Sequence, residues 1–419
     1  MNSFQTIILG IFGFFIIAGL LLVALAKQNG GNQSVSLSLW GTLPDKTIRD
    51  IIQGSFNPEK VKVSYKEIAE DSLDQTLIEA LAAGRGPDLV LLPLNLMARY
   101  RDKLQLIPYA TYSERAFKDT YIQEGDSFLL PTGIAALPFS VDPLVMYFNR
   151  DLLDEAGKAE APRFWDEFIL LSKNLTLHND SGTISRSTVA LGEYRNVNYA
   201  REILATLFLQ GGNPIVATGD SGTRVTLNQQ GTSAILDFFT EFANPQKPVY
   251  SWNRSLPNAK ALFLASKLAV YFGLGSEYEE LRKGNPNLNF DIALFPRPRN
   301  ASVGLTYGKL TGVAILRTSR QASAALQAAI TLSNPKSGAK LVSQAHLPPV
   351  YRSLLALKPT DAYGAVLYNS ASRSRGFLDP DPKVSADVFR SMIESIGSGK
   401  ARSGEALQNA QTQLQSAFR

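Results

Sequence analysis

Asp142 interrupts an apolar run, ALPFSVDPLVMYFNRDLL at residues 136–153, that otherwise has the make-up of a buried strand. Burying an unpaired carboxylate costs several kcal/mol, so such a residue has a partner or a task. Catalytic chemistry is hard to assemble elsewhere in the chain. The two histidines, His178 and His346, lie far apart without acidic residues at metal-ligand spacing, which argues against a metal site. There is no cysteine, which excludes disulfides, thiolate ligands, cysteine nucleophiles and a lipid-modified cysteine anchor. GLGSEYEE holds only two glycines of a dinucleotide fingerprint, GRGPD is not a phosphate loop, and no G-x-S-x-G elbow occurs. No carboxylate pair is singled out for cleaving glycosidic bonds, and Asp142 lacks an evident second carboxylate. The expectation is therefore no catalytic residue, no metal and no cofactor.

The elements that position Asp142 follow from hydrophobic spacing. SVSLSLW (34–40) alternates polar and apolar residues and predicts a strand ending on Trp40. Pro44 opens a helix with Ile48, Ile51 and Ile52 on one face, and KVKVSYK is a second strand. SLDQTLIEALAAG sets Leu73, Leu77 and Leu81 at helical spacing with Gly84 as a cap, and PDLVLLP (87–93) suits a strand covered on both faces. This order implies a parallel sheet. A largely helical middle follows in FWDEFILLSKNL, YAREILATLFLQGG and TSAILDFFTEFAN, and strands return in SKLAVYFGL, NFDIALFP and GKLTGVAIL before further helices. The late strands fit a chain that leaves one α/β lobe, builds a second and returns to the first. PFSVDPLVMYFN and DIALFPRPR, both extended, apolar and bounded by prolines, are the expected crossovers.

A chain of 419 residues has room for two domains, and its 45% hydrophobic content is globular. Lys+Arg 42 and Asp+Glu 37 are interspersed, and no dense basic run with interleaved aromatics suggests nucleic acid. IILGIFGFFIIAGLLLVALA (7–26) carries no charge and is long enough to span a hydrocarbon core of about 30 Å. Ala24-Leu25-Ala26 offers a signal-cleavage pattern, yet MNSFQT before the run has no Lys or Arg. An uncleaved single-pass anchor is expected, with cleavage after Ala26 as the alternative. KQNGGNQS (27–34) reads as a polar linker.

In order along the chain, LIEALAAGRGPDLVLLP, ALPFSVDPLVMYFNRDLLDEAG, FWDEFILLSKNLT, LFLQGGNPIV and ALQAAITLSNPKSGAKLVSQAHLPPV, with the tail IGSGKARSGEALQNAQTQLQ, carry a likeness. Over roughly residues 34–419 the chain resembles the family 1 extracellular solute-binding proteins of ABC importers, the maltose-binding-like group. The resemblance implies an α/β, two-lobe periplasmic-binding-protein-like fold of class II type. Each lobe would be a sheet flanked by helices, joined by hinge strands and here preceded by one N-terminal transmembrane helix. The expected division is 1–33 anchor or signal and linker, 34–140 lobe one, 141–298 lobe two, 299–355 the return to lobe one, and 356–419 a helical part mainly in lobe two.

The family's ligand cleft lies between the lobes, and the resemblance carries candidate contacts onto this chain. Asp142 on the first crossover is a hydrogen-bond acceptor for sugar hydroxyls, or else caps backbone N–H groups near Pro143 or pairs with a basic residue. Trp40 stacks on a sugar ring or packs between lobes, and Thr42 touches ligand or caps the next helix. Asn95, just past the third strand, donates and accepts to vicinal hydroxyls or caps LMARYRDK. Tyr194 and Tyr199 flank the loop GEYRNVNYA, and Trp252 lies in the irregular VYSWNRSLPN; each binds a ring face or packs in a core. Tyr271 and Tyr278 belong to AVYFGLGSEYEELR, where Gly275 replaces the family's usual aromatic, which counts against the maltodextrin-binding subclass. Tyr307 and Lys309 in LTYGKLTG complete the set, Lys309 being equally readable as a solvated charge.

The expected protein is thus not an enzyme. It is a monomer tethered through residues 7–26 to the cell membrane, its soluble body outside the cytoplasm, capturing a carbohydrate solute by hinge closure and passing it to ABC permease subunits. Two alternatives stay open: a surface sensor without a transport role, and a binder of a polyol phosphate or peptide.

Overall fold

The computed structural model describes residues 34–219, 222–357 and 359–418. The predicted anchor at 7–26 lies outside the described residues, among which no helix is long and apolar enough to cross a membrane. The alternating SVSLSLW becomes β1 (Val35–Gly41), burying Leu37 and Leu39. It pairs in parallel with β2 (Val61–Glu67) and β3 (Leu89–Pro93). Between them α1 (Asp45–Ser55) buries Ile48, Ile51 and Ile52, and α2 (Leu73–Ala82) buries Leu73 and Leu77. Each such side chain contributes about 1.5–3 kcal/mol when fully buried. After α2 the chain reverses at Gly84, whose φ of 64° costs glycine little, and its N–H donates to Leu81 O at 3.1 Å.

β4 (Leu137–Asn149) is 13 residues long and buried at every position, as its composition demands. It leaves the first core and enters the second. Lobe two adds β5 (Ile184–Val189), β6 (Leu268–Leu274) and β7 (Phe290–Ala293). β6 and β7 flank the second half of β4, both antiparallel to it, and β5 runs parallel to β6. β8 (Thr306–Leu316) then returns to lobe one, antiparallel to the first half of β4 on one edge and to β3 on the other. One sheet therefore runs through both lobes in the order β2-β1-β3-β8-β4-β6-β5. The crossover expected in DIALFPRPR is not where the sequence suggested. That strand stops at Ala293 within lobe two, since Pro296 and Pro298 have no N–H to extend a ladder, and β8 crosses instead.

Helices cover both halves. α3 (Ala200–Gln210) packs in lobe two and touches β8, with Tyr307 N–H donating to Thr206 Oγ1 at 3.0 Å. α4 (Ala362–Ser372) straddles the boundary, Leu367 belonging to the second core and Ala371 to the first. A two-residue strand, β9 (Ser374–Arg375), lies parallel to the start of β8, and the chain crosses a third time into α5 (Pro382–Gly397) and α6 (Ser403–Ser416) of the second core.

Candidate functional site at the lobe crossing

Asp142 sits in the middle of β4 and is 8% exposed. Its Oδ1 accepts the Ser276 N–H at 3.1 Å and its Oδ2 the Ser276 hydroxyl at 2.5 Å. The partner that burial demands is therefore Ser276, and the carboxylate ties β4 to the turn Gly275–Glu277 that follows β6. Burial pushes its pKa up to about 6, while the Ser276 bonds and the Lys309 charge pull it down and Glu277 pushes it further up. Lys309 is the residue opposite Asp142 on β8 and the one β8 residue that is not buried. Its Nζ pairs with Glu70 of lobe one.

The turn after β6 is held from several sides. A Cβ at Gly275 would stand 2.5 Å from Leu367 of α4 and 3.4 Å from Asp142 Oδ1. The position where the resemblance expects an aromatic thus has room for no side chain, because α4 fills it. Tyr147 donates its hydroxyl to Leu274 O at 2.7 Å and Gly275 O at 3.0 Å, and Tyr363 donates to Gly275 O at 3.0 Å. Glu277, 7% exposed, accepts from Tyr271 Oη at 2.9 Å and from the Leu274 N–H at 3.1 Å, and its other oxygen pairs with Lys260 Nζ at 2.7 Å. Tyr199 joins this group. Burial, and then the charges of Glu277 and Asp142, hold its hydroxyl far above the usual tyrosine range. Its backbone is left-handed at φ 57°, a strained state for a non-glycine residue, immediately before α3.

Asp142, Tyr199 and Tyr271 are thus brought together around Glu277, with Lys309 across the strand pair. Trp40 and Thr42 lie at the end of β1 and just past it, both half-buried, and Lys66 Nζ covers the indole at 4.4 Å from its centroid. Asn95 stands on the short turn after β3, and its Oδ1 is buried with no hydrogen-bond partner. Other candidates prove to be packing residues. Trp252 is fully buried in the second core and its Nε1 donates to Asn196 Oδ1 at 3.1 Å, which leaves neither a face nor a polar edge for ligand. Tyr307 is buried in the same core, and Tyr271, although it belongs to the Glu277 group, is also a packing residue there, 1% exposed with its hydroxyl on Glu277. Tyr278 is half-buried, its ring 4.5 Å from that of Tyr363 and 5.4 Å from Phe290. Tyr194 packs half-buried on the second core.

Several polar residues at the crossing went unread in the sequence. Glu277 could have been found in GLGSEYEE as the carboxylate three residues after Leu274 that caps the turn by accepting the Leu274 N–H, whereas nothing in the sequence pairs Ser276 with Asp142. Arg99 binds Asp74 Oδ1 at 3.0 Å in lobe one and also Asp381, the N-cap of α5 in the second core, so one guanidinium joins both lobes. Glu124 had no sequence signal. It is 1% exposed, accepts from the Ser374 hydroxyl, and leaves Oε1 without a partner. Its carboxyl fills the space that a Cβ at Gly308 would take. Burial pushes its pKa up to about 8, against the Ser374 bond and the Arg375 charge. Among the described residues no cluster of three or more His, Cys, Asp or Glu could hold a metal ion.

Comparison with known proteins agrees with this architecture. The family model of the bacterial extracellular solute-binding proteins matches residues 40–339. The chain is 22% identical to a binding protein of Brucella abortus (strain 2308), over 94% of this chain and 95% of that one. It is 21% identical to the diacetylchitobiose binding protein DasA of Streptomyces coelicolor, over 64% of this chain and 61% of that one. Among solved structures it is similar to the cyclic alpha-maltosyl-1,6-maltose binding protein from Arthrobacter globiformis, with a TM-score of 0.74 and 14% identity over 92% of this chain and 99% of that one. This last likeness establishes the two-lobe fold.

Proposed function

The chain belongs to the bacterial extracellular solute-binding proteins, and from that premise we propose that it captures a sugar or oligosaccharide outside the cytoplasm and delivers it to an ABC permease. The observation that carries the reading is the construction of the crossing: two α/β cores joined by β4 and β8, with Asp142, Lys309 and the Glu277 group concentrated where the strands pass between them. The sugars in the names of two similar proteins favour a carbohydrate. A solute that bridges both lobes shifts the population toward the closed arrangement by its differential affinity for it, and no bond is made or broken. Within this scheme Asn95 offers its unpartnered Oδ1 to a hydroxyl, and Trp40 offers an aromatic face. Asp142 acts mainly by fixing the turn through Ser276. Residues 7–26 tether the body to the membrane, and the permease reads the closed pair of lobe faces.

The test is calorimetric titration of the purified full-length chain with diacetylchitobiose, maltotriose and maltotetraose, beside a polyol phosphate and a dipeptide. A sugar should bind and raise apparent stability by about 2.7 kcal/mol at a hundredfold excess over Kd. Binding of the polyol phosphate or dipeptide in place of every sugar would overturn the carbohydrate assignment. For the tether, alkaline extraction should leave the full chain in the membrane and release a variant lacking residues 7–26; release of both would remove that part of the proposal.

A further inference from the structure

A cavity of about 660 Å³ opens on lobe two beside β7, and none of the residues assigned above to the sugar site lines it. Its floor is apolar: Phe148, Leu153, Ile292 and Phe295 are between 1% and 9% exposed. Its walls carry an excess of cations. Two of its three carboxylates are already neutralised, Asp291 by Arg150 and Glu160 by Arg163 at 2.9 Å. Lys158, Arg297 and Arg373 also line the cavity, and among the described residues none of them has an acidic partner; Asp154 is the one lining carboxylate without a cation.

Arg297 is held ready. One of its nitrogens donates to Ala301 O, and the guanidinium lies 5.3 Å from the centroid of Phe164, which leaves its remaining donors unspent. A guanidinium fixed in this way loses little freedom on binding a carboxylate, and the bond it makes is charge-assisted. The volume suits a small organic ligand that buries most of its surface. An apolar floor under uncompensated cations selects an acid with an apolar body over a sugar, whose hydroxyls would be stripped of water against Phe148 and Phe295.

We propose that this cavity is a second ligand site, taking an organic carboxylate with an apolar body, of the aryl-alkanoic type. Its walls include Leu294, Phe295, Arg297 and Gly304 of the segment that leads from β7 into β8, and Arg373, which directly precedes β9. Both segments enter lobe crossings. An occupant therefore touches chain that must shift when the lobes move, and its affinity is coupled to lobe closure, reciprocally with that of the solute. The coupling rests on the sugar-binding proposal; the site itself does not.

The test titrates 4-phenylbutyrate and its neutral analogue 4-phenylbutanamide into the full-length chain in nanodiscs, with empty nanodiscs as the blank. The acid should bind saturably at one site, and the amide should bind roughly tenfold more weakly or not at all. Lys158→Gln, at an exposed position, and Arg373→Gln should each weaken the acid severalfold while leaving the thermal midpoint unchanged. Maltotriose should not displace the acid. The proposal fails if no saturable binding occurs, if acid and amide bind alike, if both variants bind as the parent does, or if maltotriose competes directly. Failure of the first three arms leaves the sugar titration untouched, because none of them requires sugar to bind, whereas direct competition would place the sugar in this cavity instead.

Discussion

Replacing Glu124 by Gln should change how stability depends on pH, and by an amount large enough to measure. In the unfolded chain this glutamate titrates near its ordinary 4.5, whereas burial in the fold lifts it to about 8. The folded protein therefore keeps a proton that the unfolded chain releases. The stability linked to that proton is complete below about pH 4.5 and is lost as the pH climbs toward 8. Each pH unit in that window is worth about 1.36 kcal/mol, so the loss between pH 5 and pH 8 is about 4 kcal/mol. Gln has the same shape, its carbonyl can still accept the Ser374 hydroxyl, and it cannot ionise. Asp142 and Asp379, also lifted to about 6 by burial, impose slopes of the same sign on both proteins, and these cancel in the difference. Urea unfolding of parent and variant at each pH from 5 to 9 gives that difference directly. It should move in favour of Gln as the pH rises and level off above 8. A difference that stays constant from pH 5 to pH 8 would refute the reasoning, since it would mean that Glu124 titrates alike in the folded and unfolded states.

Ser276→Ala removes the hydroxyl bond to Asp142 but keeps the backbone one, so unfolding free energy should fall by about 1–3 kcal/mol with the Asp142 pKa rising further, read by denaturation and carboxyl NMR titration. Gly308→Ala puts a methyl group into the Glu124 carboxyl and within 2.6 Å of Ser374 Cβ; it should destabilise by about 1–3 kcal/mol, and adding Glu124→Ala should restore part of the loss. Trp252→Phe should cost about 1–2 kcal/mol by orphaning Asn196 Oδ1, with sugar affinity unchanged in calorimetry. Asn95→Ala should do the reverse, weakening sugar binding roughly tenfold without lowering the thermal midpoint.

Lobe one was readable because its pattern is local. Ile48, Ile51 and Ile52 share a helix face, PDLVLLP is uniformly apolar, and Gly84 and Pro44 mark ends that backbone geometry enforces. β4 was readable for the same reason, being one long apolar run. The misplaced crossover has a specific cause. DIALFPRPR looks extended and apolar, but two prolines end its ladder, while the true crossing, TYGKLTGVAIL, is disguised by glycines and a lysine that only the neighbours of β8 explain. The third crossing at Ser374–Arg375 is two residues long and carries no period at all. At the site, Asp142 was visible because a charge broke an apolar run. Trp252 stayed open between ligand and core because sequence gives an aromatic no direction, and its burial with Nε1 on Asn196 decides for the core. Glu124 was invisible because its burial is made by Gly308 and Ser374, far along the chain.

The three passages of the chain between lobes also govern the order in which the molecule can be completed. β8 stands between β3 and β4 in the sheet, so the first lobe lacks a central strand until residues 306–316 have emerged, after all of β5, β6 and β7. The second lobe in turn awaits α5 and α6, whose Phe389, Ile393, Leu407 and Leu414 complete its core. Neither half can close during synthesis of its own first portion, and each holds the other's last piece in reserve. A chain built this way exposes unpaired strand edges and apolar surface of both cores until α5 and α6 are in place, and those are the surfaces through which incomplete chains misassemble.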